Sequence, residues 1–369
     1  MILETYLNEN RLLEVNQIEF DKMINENTYY LTEGFTDTIK SICNKVWENI
    51  KKVFKKIIEG LKWIKSKTID KIINFFKSKA VKKKADAEAK KIIAEIEKND
   101  SDNDDGSNNE ILLIQNTSST NTSDTSNNTV KNKKVKVIDY EGLIKEFEEN
   151  SKQMNEFDPQ EFMGAYDEFI NTISEEFINM YKDNNLSDDD ITDKFFEMKK
   201  TIKDEARNMI IEMLELDYED INLEENKKSY KEKMNNRFNS DKMFNNDNCT
   251  IISYEEFKNN YEKINNKIND TMNKYIGILE KDSKAFSLLI NKVNDKEKLT
   301  KEILDNITNK CKSNNNDIVN KYKSIPRRVN IIAVEFANYL NKVSEAINYK
   351  IQVDSSVLLN MKFYKVVEE

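Results

Sequence analysis

Between Phe35 and Ser78 the apolar and polar positions repeat every eleven residues, four times without a gap: FTDTIKSICNK, VWENIKKVFKK, IIEGLKWIKSK and TIDKIINFFKS. The third place is acidic in every copy (Asp37, Glu48, Glu59, Asp70), the fifth is Ile or Leu (Ile39, Ile50, Leu61, Ile72), and the eighth is apolar (Ile42, Val53, Ile64, Phe75). Lys fills the sixth and eleventh places in three of the four copies. Eleven residues over three turns is about 3.67 per turn, so the stripe drifts only about 20° per copy and stays on one side of a helix. The pattern predicts one continuous amphipathic helix of roughly 66 Å at ~1.5 Å per residue. Gly60 is its expected weak point, at about 1 kcal/mol relative to Ala. Trp47, Phe54, Ile58, Ile69, Ile73 and Phe76 widen the apolar side beyond a two-position coiled-coil seam.

The rest of the chain is less regular but reads as helix nearly throughout. Residues 1–33 form a short leader with scattered Leu and Ile, lacking the Lys-rich start and apolar core of a secretory signal. The helix of residues 34–98 ends in a charged, Ala-containing extension. Residues 99–129 are mostly Asn, Ser, Thr and Asp with one apolar tetrad at 111–114, too polar to offset ordering entropy, and 99–134 read as a disordered linker. Residues 135–369 read as an acidic, C-terminal helical bundle domain. Within it, 140–155 is the first helix. Asp158 and Pro159 start a second, and Ser187 with Asp190 boxes the start of a third. Residues 223–247 give no clear period. Ser253 with Glu256 opens a helix through Leu279, 288–312 and 317–324 read as separate shorter helices, and Pro326 bends the chain before Arg327, Arg328 and a helix over 331–346. The end, 350–367, alternates and reads as a short terminal β-hairpin or strand-like tail. The fold class expected is all-α.

Composition sharpens this picture. Only 6 Gly and 2 Pro in 369 residues leave few breakers, in keeping with long helices. Charge is unevenly spread: residues 34–84 hold 15 Lys and 4 acids, a net +11, while the whole chain is −9, so everything else carries −20. No uncharged run in the repeat approaches the ~18–20 residues of a membrane span. The repeat helix therefore has three readings. Its stripe buries against the remainder of this chain or its copies, or it lies on an anionic membrane with lysines at the headgroups, or the lysines neutralise phosphates of nucleic acid. Lys40, Lys45, Lys51, Lys52, Lys55, Lys56, Lys62, Lys65 and Lys67, with Trp47 and Trp63, are the candidate contact residues.

Candidate chemistry is sparse. The chain has no His, the commonest general base and metal ligand. Cys43, Cys249 and Cys311 are odd in number and far apart, which fits neither a disulfide framework nor a CxxC metal site. Asp100, Asp102, Asp104, Asp105 and Gly106 suggest a calcium loop but fail its register, since the first and twelfth places would be Ser101 and Leu112. Asp188, Asp189 and Asp190 are explained as acidic charge at a helix start. No metal, cofactor or enzymatic activity is expected.

Leu31-Thr32-Glu33-Gly34, aliphatic-x-Glu before a small residue, stands directly before the first repeat. It resembles the site at which prohead proteases of large contractile-tailed bacteriophages trim capsid and internal head proteins. Leader, junction and basic Lys/Ile/Phe/Trp helix together resemble virion proteins of phages infecting low-GC Gram-positive hosts, over about the first 80 residues. The resemblance implies a virion structural, internal or ejected protein, located in the capsid interior or at the tail, cut between Glu33 and Gly34. Its implied partners are the protease, other virion proteins or itself, and packaged DNA or an anionic membrane. A second class stays open, a membrane-active pore former or toxin in which the repeat helix is the effector.

Overall fold

Helix accounts for 90% of the interpretable residues of the computed structural model. The structure describes residues 35–78, 80–101, 133–155, 164, 166–168, 170, 188–213, 223–239, 243–244, 249–310 and 324–367. The elements are α1 (Phe35–Ile64), a π-helical turn (Lys65–Ile69), α2 (Asp70–Lys77), α3 (Ala80–Ser101), β1 (Lys134–Ile138), α4 (Tyr140–Asn155), α5 (Asp188–Met213), α6 (Leu223–Arg237), β2 (Cys249–Ser253), α7 (Tyr254–Lys310), α8 (Ser324–Asn360) and β3 (Tyr364–Val367). The expected junction and leader, the third cysteine and most of the linker lie outside the described residues.

The repeat is helical from Phe35 to Lys77, and Gly60 sits undisturbed inside α1. The irregularity comes at Lys65–Ile69, where the Asp70 N–H donates to the Lys65 carbonyl five residues back. A π turn holds one residue more than an α turn, so every later side chain is rotated by about 100°. Burial follows that rotation. In the first three copies the fifth and eighth places are buried, but in the fourth they are half-buried Ile72 and Phe75, which is 46% exposed. The sixth and ninth places, Ile73 and Phe76, take over the interior. Sequence marks the switch, because Ile73 stands where the other copies have Lys.

The chain forms two compact units, each drawn from three segments: Met1–Lys71, Lys152–Tyr230 and Lys281–Gln352 in the first, Ile72–Ser151, Lys231–Glu280 and Val353–Glu369 in the second. The basic helix contributes residues to both. In the first unit α1 packs on α8: Phe54 stacks on Phe336 with ring centres 6.3 Å apart, Tyr166 sits 4.7 Å from Phe336, and the Asn49 amide donates to Asn330 Oδ1 at 2.7 Å. Two lysines buried here are paired with carboxylates, Lys227 with Glu345 and Lys296 with Asp167, as low-dielectric surroundings favour. The Tyr166 and Thr300 hydroxyls share a hydrogen bond of 2.5 Å.

The second unit is built around a three-stranded antiparallel sheet of order β2-β1-β3. Val135 faces Ile252 on one side and Val366 on the other. Tyr364 and Phe257 (4.9 Å), Tyr140 and Phe363 (5.2 Å), Phe147 and Phe238 (4.9 Å), and Phe76 and Tyr275 (5.3 Å) carry the aromatic core.

Several expectations are corrected. The terminal strand does not fold back as a hairpin; residues 350–360 continue α8, and β3 pairs with β1. The expected linker is trimmed at both ends, by α3 running to Ser101 and β1 starting at Lys134. The helices expected to end near 279 and restart at 288 are one 57-residue helix, α7, because nothing between them breaks a helix. Pro326 does not bend the chain ahead of a helix; it lies in the first turn of α8, where its missing N–H is not needed. Residues 223–237, left without assignment, form α6.

Candidate interaction surface

The repeat that buries the apolar stripe also decides where its lysines point. Ile39, Ile50, Val53, Phe54, Ile57, Leu61 and Ile64 are buried within the first unit. Opposite them Lys40, Lys51 and Lys62, the sixth-place lysines, are all exposed, as are Lys52, Lys55 and Lys67. Successive members of the sixth-place row stand one repeat apart, about 16.5 Å along the axis at ~1.5 Å per residue. Lys45, Lys56 and Lys65 are half-buried, and so are Trp47 and Trp63 at the border of the stripe. The structure thus turns six of the nine candidate lysines to solvent and buries the apolar side.

Ion pairing leaves most of this charge available. Lys51 reaches Glu48 and Lys55 reaches Glu59 at 3.9 Å, and Lys65 reaches Asp70 across the π turn at 3.6 Å. Such exposed pairs contribute little, of the order of 0–1 kcal/mol. Among the described residues Lys52, Lys62 and Lys67 make no ion pair. Cys43, buried on the inner flank, has its thiol pushed up by burial against an opposing hydrogen bond with Thr308, as a packed thiol does.

Two further features of the second unit were not legible in the sequence. A cleft of about 640 Å³ opens between the sheet and the start of α7, lined among others by Asp139, Tyr140, Glu256, Lys263, Lys267 and Asp270. Asp139 is occupied as an N-cap, its Oδ1 accepting the Glu141 and Gly142 N–H groups at 3.1 and 3.3 Å. The second is a clamp from α3 on the end of α8. Lys84 donates to the carbonyls of Leu359 and of Met361 (3.0 Å), and Glu88 accepts the Phe363 N–H at 3.1 Å. Burial raises the Glu88 carboxyl, opposed by hydrogen bonds from the Phe363 and Tyr364 backbone and by the charge of Lys84, and burial lowers the Lys84 ammonium, opposed by Glu88. Lys84 at the end of the basic segment is thus structural: it caps the Leu359 carbonyl in the last turn of α8 and the Met361 carbonyl just beyond it.

Among the described residues there is no cluster of His, Cys, Asp or Glu able to hold a metal, and no helix long and apolar enough to cross a membrane. Comparisons of this chain with protein-family models, with curated proteins and with solved structures each found no match.

Proposed function

We propose that the chain is a non-enzymatic structural or internal protein of a bacteriophage virion, whose basic helix contacts packaged DNA through its lysine face. The observation that carries the DNA contact is the division of the repeat helix, with its apolar stripe spent on its own unit and its sixth-place lysine row left in solvent. Lysines on a helix neutralise phosphates without reading sequence, which suits a packaged genome. The virion assignment rests on the junction Leu31, Glu33 and Gly34 and on its place directly before the repeat, so that trimming the leader leaves all four copies intact.

Trp47 and Trp63, half-buried at the edge of the lysine rows, favour a second reading as a membrane-active protein, since indoles at such a border suit a headgroup layer. Insertion would require the stripe to leave Phe336 and Tyr166, uncovering an equal apolar surface on the remainder of the unit. That weighs towards DNA.

The test of the virion reading is the N-terminus of the protein taken from mature particles, by mass spectrometry, beside a Glu33→Gln variant. A start at Gly34 that the variant abolishes is expected. An intact Met1 or Ile2 start in the particle would contradict processing and remove most of the case for a head protein.

A further inference from the structure

β2 is an edge of the sheet, and among the described strands it pairs with β1 alone. The hydrogen-bond phase shows which of its residues face that side. The Tyr254 N–H donates to the Lys133 carbonyl at 3.0 Å, so two and four steps along the same register Ile252 and Thr250 bond to Val135 and Val137. The other face of β1 confirms the phase: the Ile138 N–H donates to the Phe363 carbonyl, turning the alternate β1 residues towards β3. Ile251 and Ser253 therefore aim their N–H and C=O groups away from β1, at the open edge. Ile251 is 54% exposed.

Sheet edges are ordinarily guarded by Lys, Pro or a bulge. β2 has none of these: its sequence, Cys-Thr-Ile-Ile-Ser, is uncharged in a chain that is 34% charged, whereas the other edge, β3, carries Lys365. The strand is also its own complement. Ile251 is the centre of the five residues, so an antiparallel copy paired about it sets Ile251 against Ile251, exchanging both backbone hydrogen bonds, and Thr250 against Ile252. No like charges meet, and the two exposed isoleucines cover each other.

We propose that the β2 edge is a self-association surface, on which two copies of the chain join antiparallel about Ile251 into a continuous six-stranded sheet. The contact is isologous, each copy presenting the same strand. It does not rest on the lysine face or on the virion reading.

The test uses the full chain. In the paired strands the two Ile251 Cα atoms stand about 5.5 Å apart, inside disulfide range, while the two Thr250 Cα atoms are diagonal neighbours about 7–8 Å apart, outside it. Under mild oxidation Ile251→Cys is expected to give a cross-linked dimer at least about tenfold faster than Thr250→Cys or the parent chain. Sedimentation of the unoxidised chain is expected to show a concentration-dependent dimer. Ile251→Lys, which sets two like charges face to face, should raise its dissociation constant about tenfold or more with an unchanged helical spectrum. Equal trapping at 250 and 251, absence of any dimer, or a dimer that Ile251→Lys leaves intact would each overturn the proposal, the second outcome leaving the edge to an extended segment of another protein.

Discussion

Ile73 occupies the place that Lys holds in the three preceding repeats, and it is 7% exposed, while its neighbour Phe75, at a place buried in every other copy, is 46% exposed. The π turn before them accounts for both. This makes a paired substitution informative: Ile73→Lys restores the repeat's own consensus yet puts an ammonium into the core, and is expected to destabilise by about 2–5 kcal/mol. Phe75→Lys breaks the consensus and should stay within about 0.5 kcal/mol, as surface changes do. Urea unfolding of both variants checks this. The opposite order of stabilities would mean that the fourth copy keeps the α register. The replacement of Lys by Ile at 73 was visible in the sequence and was the available sign of the shift. The repeat was read as uniform, and Gly60 drew attention because glycine is weak in helices generally, although packing of Ile57, Ile58 and Leu61 around it suffices to hold α1.

At the scale of elements, helix starts were legible where a side chain does identifiable work. The Glu256 N–H donates to Ser253 Oγ at 3.2 Å, the cap expected for α7, and α5 begins at Asp188 as its acidic start implied. A strand was expected in the terminal stretch that holds β3, but β1 and β2 were missed for a physical reason: each is only five residues, and only the sheet that joins residues far apart in sequence holds them extended. Lys134 to Ile138 alternates as a strand does, but a short alternation cannot announce a partner more than a hundred residues away. α7 was divided between Leu279 and Leu288, and the structure runs unbroken through that stretch. A Cβ added at Gly277 would meet nothing within 4 Å. Gly277→Ala is therefore expected to stabilise by about 0.5–1 kcal/mol, read as a higher Tm. A loss of stability would show that α7 needs glycine's freedom there.

At the scale of the molecule, the sequence marked the basic segment as the place of interaction but left open what its apolar side meets, because a stripe of Ile and Phe packs equally well on protein or on lipid. Only tertiary structure distinguishes these, by placing Tyr166 and Phe336 against Phe54. Lys84 shows the converse limit, since it counted towards the positive charge of the segment and turned out to bind the carbonyl end of α8. What the account asserts is that the outward lysines, and not the apolar stripe, meet the partner. The direct measurement is binding of the full chain to duplex DNA and to anionic vesicles across a salt series, beside the triple variant Lys40→Gln, Lys51→Gln, Lys62→Gln. The account predicts DNA binding that falls steeply with salt and a logarithmic salt slope shallower by about three in the variant, roughly one per lysine. No DNA binding at low salt, or vesicle binding that neither salt nor the three substitutions weaken, would contradict it.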